Sequence, residues 1–179
     1  MTKTKKKSNG NSFLGTLAAL IILCVVLTIV SDKFLTYNNL MSVLKQTTFT
    51  ALLSTGMLLC LITAGIDLSV GANATFCACI CGMLVKGGMT NSLVLIVIAI
   101  VAGTLIGLIN GLLLTRLHLP HPFVSTLGMK NFLWGASLLV VSSQMVSGFP
   151  DGVMALGSAT IGGFPVSFIV VVVIYVIMH

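Results

Sequence analysis

Six long apolar runs with almost no charged residues dominate this 179-residue sequence. Each run is close to the ~20 residues that a helix needs to cross the hydrocarbon core of a bilayer. Only 7% of the residues are charged, whereas roughly a quarter are charged in soluble domains. The runs cover residues 13–30, 47–64, 70–85, 92–115, 123–141 and 164–178. The sequence therefore predicts an all-α polytopic membrane protein with about six transmembrane helices.

The first twelve residues differ from the rest because they carry four lysines between positions 3 and 7. Lys and Arg beside membrane spans concentrate on the cytoplasmic side, so this tail predicts a cytoplasmic N-terminus and not a nucleic-acid site. In this orientation Lys33, Lys45 and Lys86 lie on the outer side of the membrane. No convincing signal-peptidase site follows the first run, which favours a retained helix. We predict a basic cytoplasmic tail, 1–12, and a single transmembrane domain, 13–179.

Residues that carry catalysis or bind metals are sparse. The string CACIC (77–81) has no His or acidic neighbour that would complete a metal site. Its cysteines, like Gly103, Gly107 and Gly111, suit close helix packing. The G-x-x-x-x-G-K-[ST] phosphate-binding loop is missing from the sequence, so we do not expect this chain to hydrolyse ATP. We predict a non-enzymatic chain with no catalytic residue, cofactor or metal.

Asp67 is one of only three acidic residues, and it lies between Gly65 and Gly71 where the second and third runs meet. We predict a break in the helical path near Gly65–Asp67. Two interpretations of the carboxylate stay open. It caps the third helix near the interface, where the helix dipole favours negative charge. Alternatively it lines a polar cavity at a broken helix, since an Asp at the centre of a membrane helix costs ~2.5–3.5 kcal/mol.

Four strings in the same order resemble one family. TAGIDLSVGA (63–72) resembles the TGGIDLSVGS-type signature of the membrane permeases of bacterial ABC sugar importers, the ribose and xylose group. FLTYNNLMSVLKQ (34–46), GLINGLLL (107–114) and PFVSTLG (122–128) resemble the start of the family's second helix, its Asn-Gly helix and its PFI-x-TLG segment. After TLG, members of the family continue with an apolar helix and an Arg-Gly pair, whereas this chain has Lys130 and then Trp134-Gly135, so no role is carried over for the Arg position.

The resemblance implies a fold of about ten membrane helices, of which this sequence corresponds to the N-terminal half. We therefore expect a chain that is truncated relative to the family fold. The implied function is a permease that forms the translocation path of an ATP-driven importer for a pentose or hexose in the bacterial inner membrane. The implied partners are an ATP-binding subunit that hydrolyses ATP, a periplasmic sugar-binding protein, a second permease chain and membrane lipid, and no nucleic acid.

Polar side chains on the matched strings suit a neutral, hydroxyl-rich cargo because they offer donors and acceptors with little fixed charge. The predicted pathway residues are Thr63, Asp67, Ser69, Asn73, Asn110, Phe123 and Thr126. Each also has a structural interpretation, since Ser and Thr often bond their own helix backbone and Asn often joins helices. Other functions stay open: a secondary carrier whose Asp67 binds a proton or cation, a membrane scaffold, or an inactive permease fragment.

Overall fold

The computed structural model describes residues 10–62, 65–116, 122–162 and 164–178. These residues form seven helices and one two-stranded hairpin, so the predicted helical class is confirmed. The elements in chain order are α1 (Gly10–Val30), α2 (Tyr37–Ile62), α3 (Val70–Lys86), α4 (Ser92–Arg116), α5 (Pro122–Val140), α6 (Asp151–Ser158), β1 (Thr160–Ile161), β2 (Phe164–Pro165) and α7 (Val166–Met178).

Contacts divide the chain into two compact units, and the boundary lies between Val43 and Leu44, inside α2. In the first unit a short turn joins α1 to α2. The Nδ2 of Asn39 donates to the carbonyl of Phe34 at 2.7 Å, across this turn. Asn39 in the string 34–46 therefore has a local structural role. Of the predicted tail, residues 1–12, only 10–12 are described, and they belong to α1.

Two described helices are long and apolar enough to cross a membrane, over Phe13–Val30 and Ser92–Arg116. The helices Val70–Lys86 and Val166–Ile177 are apolar but shorter. The predicted start of the second run at 47 is wrong as a helix boundary, because α2 begins at Tyr37 and includes the polar pair Lys45 and Gln46. The membrane class is supported by these apolar helices, whereas the number of six crossings stays a prediction.

The segment between α5 and α7 was not predicted from the sequence. Helix α5 ends at Val140, and Ser142 and Ser143 follow with left-handed φ angles of 50° and 56°. Helix α6 comes next, and then the antiparallel hairpin in which Ile161 pairs with Phe164. The predicted sixth run therefore begins too early, at 164, because Phe164 and Pro165 belong to a strand.

Helix α3 is central to the second unit because it packs against both α4 and α5. The buried apolar cluster at this junction comprises Ala72, Cys77, Ile106 and Leu133. A Cβ at Gly103 would lie 3.6 Å from the Cys77 sulfur, so the predicted close packing is confirmed at that glycine. At Gly107 and Gly111 a Cβ would meet nothing within 4 Å. These two glycines leave space beside α4 instead of filling a helix interface.

Two lysine contacts lie on the segment that follows α5. The Lys86 Nζ donates to Gln144 Oε1 at 3.0 Å. The Lys45 Nζ donates to the carbonyl of Ser158, at the end of α6, at 3.2 Å. Both contacts are exposed, and they bring α2 and the end of α3 to this connecting segment. Two of the three lysines predicted to share one side of the membrane thus contact the same connection.

Candidate functional site

The helical path breaks between α2 and α3, as predicted. The described part of α2 ends at Ile62, and the Gly65 N–H donates to the Cys60 carbonyl at 2.9 Å. Residues 65–67 are not helical, and α3 begins at Val70. A break exposes backbone polar groups, and side chains or other backbone groups must satisfy them when water is scarce.

Asp67 organises the turn that enters α3. Its Oδ1 accepts a hydrogen bond from the Ser69 N–H at 2.7 Å and another from the Ser69 hydroxyl at 2.6 Å. An Asp side chain bonded to the backbone two residues later is a common turn-forming arrangement. Ser69 is 1% exposed, so this turn is a buried part of the protein. The carboxylate bonds the N-cap residue Ser69 and not the free N–H groups of the first helical turn, so it forms a turn before α3 while the predicted helix cap stays a prediction.

Asn110 connects α4 to the same turn. Its Nδ2 donates to the Ser69 Oγ at 2.7 Å, so hydrogen bonds run from Asn110 through Ser69 to Asp67. Asn110 is buried on a helix that consists mostly of Leu, Ile, Val and Ala. A side-chain hydrogen bond between helices is a typical use of Asn within a membrane. The chain of bonds holds α4 against the break.

Thr126 contacts the break from α5. Its hydroxyl lies 3.1 Å from the Ile66 carbonyl and 3.1 Å from the Pro122 carbonyl of its own helix. The Phe123 carbonyl lies 3.3 Å from the same hydroxyl, and since a hydroxyl has a single proton to donate, the three carbonyls share it. Thr126 is 7% exposed. The side chain therefore joins α5 to the non-helical backbone between α2 and α3.

A cavity of about 170 Å³ lies where these contacts meet. Asp67, Asn110 and Thr126 contribute polar groups to its wall, together with Ser125. The open sides of Gly107 and Gly111 also face it, along with apolar groups of α2, α4 and α5. Asp67 consequently closes the turn that precedes α3 and also lines a cavity. Its depth in the membrane stays a prediction.

Among the described residues, the predicted Ser69, Asn73 and Phe123 do not line this cavity. Asn73 lies one turn into α3, where its Nδ2 donates to the Gly103 carbonyl at 3.2 Å and its Oδ1 accepts from the Cys77 thiol at 3.4 Å. Those bonds join α3 to α4. Phe123 is 47% exposed. Thr63 lies outside the described residues.

Ser125, Gly107, Gly111 and Cys60 line the cavity but were not predicted as site residues. The two glycines could have been predicted from the helical period, because residues 107, 110, 111 and 114 are spaced so that they share one face of α4 with Asn110. Ser125 gives no such signal, since it precedes Thr126 and its direction depends on how α5 lies against the break. Among the described residues, no group of three His, Cys, Asp or Glu side chains could hold a metal ion.

A larger cavity of about 520 Å³ lies elsewhere in the second unit, between α3, α4 and the α6 region. Its wall is almost entirely apolar and includes Cys81, Leu95, Phe149 and Met154. Such a wall offers a hydrophilic molecule nearly no hydrogen bonds. The smaller cavity at the break is therefore the better candidate for a polar ligand, despite its size.

The residues around the break belong to a segment that a known family shares. A sequence model of the family described as branched-chain amino acid transport system / permease component matches residues 39–179. The chain belongs to this permease family. The match contains the break, α4 with Asn110 and α5 with Thr126, so the whole cavity wall lies within the family region.

Several curated relatives of this chain are named as permeases for sugars. The ribose import permease protein RbsC of Escherichia coli strain K12 is 32% identical over 147 residues, which cover 82% of this chain and 45% of the relative. The D-allose transport system permease protein AlsC of the same strain is 29% identical, over 97% of this chain and 54% of the relative. The galactose/methyl galactoside import permease protein MglC is 28% identical, over 90% and 54%.

The predicted resemblance to the permeases of sugar importers is thus confirmed, and the permease is a membrane protein. The chain spans about half the length of the curated relatives it matches. No solved structure matches it significantly.

Proposed function

We propose that this permease forms part of the translocation path of an ATP-driven importer for a pentose or hexose, and that the cavity at the break lies on that path. The observation that carries the proposal is a connected set of polar groups beside a cavity in a strongly apolar protein. Polar side chains are rare inside membrane helices and tend to mark the routes of substrates or ions. The names of the sugar-permease relatives support the choice of cargo.

Three residues hold the path open in this proposal. Asp67 and Ser69 keep the backbone in its broken form, because the Asp67 carboxylate accepts both Ser69 donors. Through its hydrogen bond to Ser69, Asn110 holds α4 at a distance from the break that keeps the cavity open. Broken helices at the centre of transport proteins commonly present backbone and side-chain groups to cargo. The polar groups of Asp67, Asn110 and Thr126 that face the cavity contact the sugar hydroxyls.

The other predicted residues have more distant roles. Asn73 keeps α3 against α4 through the Gly103 carbonyl and so supports the wall of the path. Phe123 is largely exposed at the start of α5, where its ring offers an apolar face to a sugar ring that approaches the cavity. Thr63 immediately precedes the break in the sequence, and we assign its hydroxyl to the same path.

The energy for import comes from other subunits, because the sequence contains no phosphate-binding loop of its own. A periplasmic sugar-binding protein delivers the cargo to the outer face, and a second permease chain completes the path. ATP binding and hydrolysis on a cytoplasmic ATP-binding subunit alternate the access. The N-terminal lysines lie in the cytoplasm and the permease is embedded in the inner membrane.

Co-purification and uptake together test this function. The tagged chain is expressed with the products of its neighbouring genes, extracted from membranes, and examined for a bound ATP-binding subunit. Uptake of labelled ribose, allose and galactose is measured in the same cells. We expect the ATP-binding subunit to co-purify with the tagged chain. Uptake of at least one of the three sugars should disappear when the ATP site of that subunit is inactivated.

A matched treatment separates the importer from a secondary carrier. An uncoupler is added while the cellular ATP concentration is held constant, and sugar uptake should then continue. The proposal would be contradicted if the uncoupler stopped sugar uptake while inactivation of the ATP-binding subunit left the uptake rate unchanged. That result would instead indicate that Asp67 serves a carrier coupled to a proton or cation gradient.

A further inference from the structure

Two buried polar atoms without a hydrogen-bond partner belong to residues that line the cavity at the break. They are Oδ1 of Asn110 on α4 and Oγ of Ser125 on α5. Among the described residues Ser167 Oγ on α7 is the third such atom, and it does not line this cavity. Buried polar groups in native proteins nearly always have a partner, so two unpartnered atoms on one cavity indicate a bound molecule.

The hydrogen-bond chain determines which way the Asn110 amide faces. The single hydroxyl proton of Ser69 is donated to Asp67 Oδ1 at 2.6 Å. The Asn110 side chain approaches the same Ser69 oxygen at 2.7 Å, so the atom that contacts it must be the donating Nδ2. The Asn110 Oδ1 is consequently an acceptor, and it needs a partner that donates a hydrogen bond.

The rest of the wall sets the charge and size of that partner. Asp67 places a carboxylate on the same cavity, and its oxygens also accept hydrogen bonds. A carboxylate or phosphate on the ligand would bring further negative charge and acceptors, and this mismatch disfavours binding. The volume of 170 Å³ is several times the ~30 Å³ that one water occupies. It is below the ~300–1,000 Å³ of pockets for drug-sized ligands.

We propose that Asn110 Oδ1 and Ser125 Oγ bind hydroxyl groups of a neutral polyol, and that the Asp67 carboxylate on the same wall disfavours sugar acids and sugar phosphates. A ligand hydroxyl donates to Asn110, and the Ser125 hydroxyl can donate to or accept from a second ligand hydroxyl. The inference rests on the proposed function and makes Ser125 a ligand-binding residue of the path.

Cys60 lines the same cavity, so its thiol can report whether the cavity is occupied. The other four cysteines are replaced by alanine, and the full chain in lipid nanodiscs is treated with a maleimide in the presence of D-ribose or D-ribonate. We expect ribose to slow the alkylation of Cys60 in a concentration-dependent way. Ribonate has the same carbon chain but carries a carboxylate, and at equal concentration it should leave the rate unchanged.

Two serine variants locate the effect. Ser125→Ala should raise the ribose concentration needed for half-maximal protection by roughly 3- to 10-fold, the loss expected for one hydrogen bond. Ser167→Ala removes a buried hydroxyl that also lacks a partner but lies away from the cavity. In this control variant, ribose should protect Cys60 from alkylation at the same concentrations as in the parent chain.

Equal protection by ribose and ribonate, or an unchanged concentration dependence in Ser125→Ala, would overturn the inference. The absence of protection by either compound would also overturn it and indicate that the cavity holds water alone. None of these results affects the importer if sugar uptake still requires the ATP-binding subunit. Conversely, protection by ribose alone combined with ATP-independent uptake would contradict the importer and leave the neutral-polyol site standing.

Discussion

At the scale of single residues, the hydroxyl of Ser69 is the centre of the site. It donates to the carboxylate of Asp67 and accepts from the amide of Asn110, so one side chain connects the break to α4. Its burial means that water cannot replace either partner freely. The geometry of the cavity therefore depends on a short chain of three polar side chains.

Replacing Asn110 by Leu tests that dependence. The substitution keeps a side chain of similar size but removes the donor to Ser69. We expect the free energy of unfolding in detergent to fall by about 1 kcal/mol, the size typical of interhelical hydrogen bonds in membrane proteins. Thr104→Ala on the same helix is the control, because the Thr104 hydroxyl is exposed and bonds only to the Ile100 carbonyl. Equal stability of both variants and the parent would contradict the role of Asn110.

At the scale of helices, the packing of α3 decides where the second unit is tight and where it is open. Gly103 faces Asn73 and Cys77 of α3, whereas the next glycines of α4 border the cavity. Helix α3 also supports the connection after α5, because Gly82 lies directly beneath Val146. Small residues on α3 and α4 thus serve two different purposes along the same pair of helices.

Gly103 provides a graded test of the α3–α4 contact. A Cβ there would sit 3.6 Å from the Cys77 sulfur, which is ordinary contact. Gly103→Ala should therefore be tolerated, and it gains helix propensity. Gly103→Leu extends into Cys77 and Asn73 and should lower the free energy of unfolding by about 1–3 kcal/mol. Thermal unfolding of the two purified variants distinguishes these outcomes, and a stable Leu variant would show that the helices are not closely packed there.

Gly82 tests the contact between α3 and the segment that follows α5. A Cβ at this position would lie 2.5 Å from Val146 Cγ1, which is closer than atoms can approach. Gly82→Ala should therefore displace the segment and increase its cleavage by a protease, with a loss of about 1–3 kcal/mol in stability. Combining it with Val146→Ala removes the nearest atom and should restore most of the resistance. No rescue in the double variant would contradict the contact.

At the scale of the whole molecule, the sequence predicts the helices better than the cavity. Apolar runs between charged or glycine-rich connections located α3, α4 and α5, and the TAGIDLSVGA string located the break. The α6 and hairpin segment was missed because its strands have only two residues each, too few for a periodic pattern. Ser125 was missed because its exposure depends on how α5 packs, a relation between helices that a single sequence does not contain.

The number of crossings could not be read from helix composition alone. Among the described helices, only α1 and α4 are both long and apolar enough, whereas α2 carries Lys45 and α5 carries Lys130 within the helix. Lysine side chains can reach towards an interface from such positions, so hydropathy does not place those helices uniquely.

The central claim is that sugar passes through the cavity at the break, and filling the cavity tests it most directly. Gly111 lines the cavity with open space above it, so Gly111→Leu should occupy that space without disturbing a helix contact. Gly56→Leu is the matched control, because Gly56 is exposed on α2 and a Cβ there would also meet nothing within 4 Å.

The measurement is the initial rate of ATP-dependent uptake of the transported sugar in cells with equal amounts of each variant in the membrane. We expect Gly111→Leu to lower the rate by at least about tenfold, since a pocket that has lost its space rejects its ligand. Gly56→Leu should transport at the parent rate. Equal uptake by both variants would contradict the account and place the sugar path elsewhere in the permease.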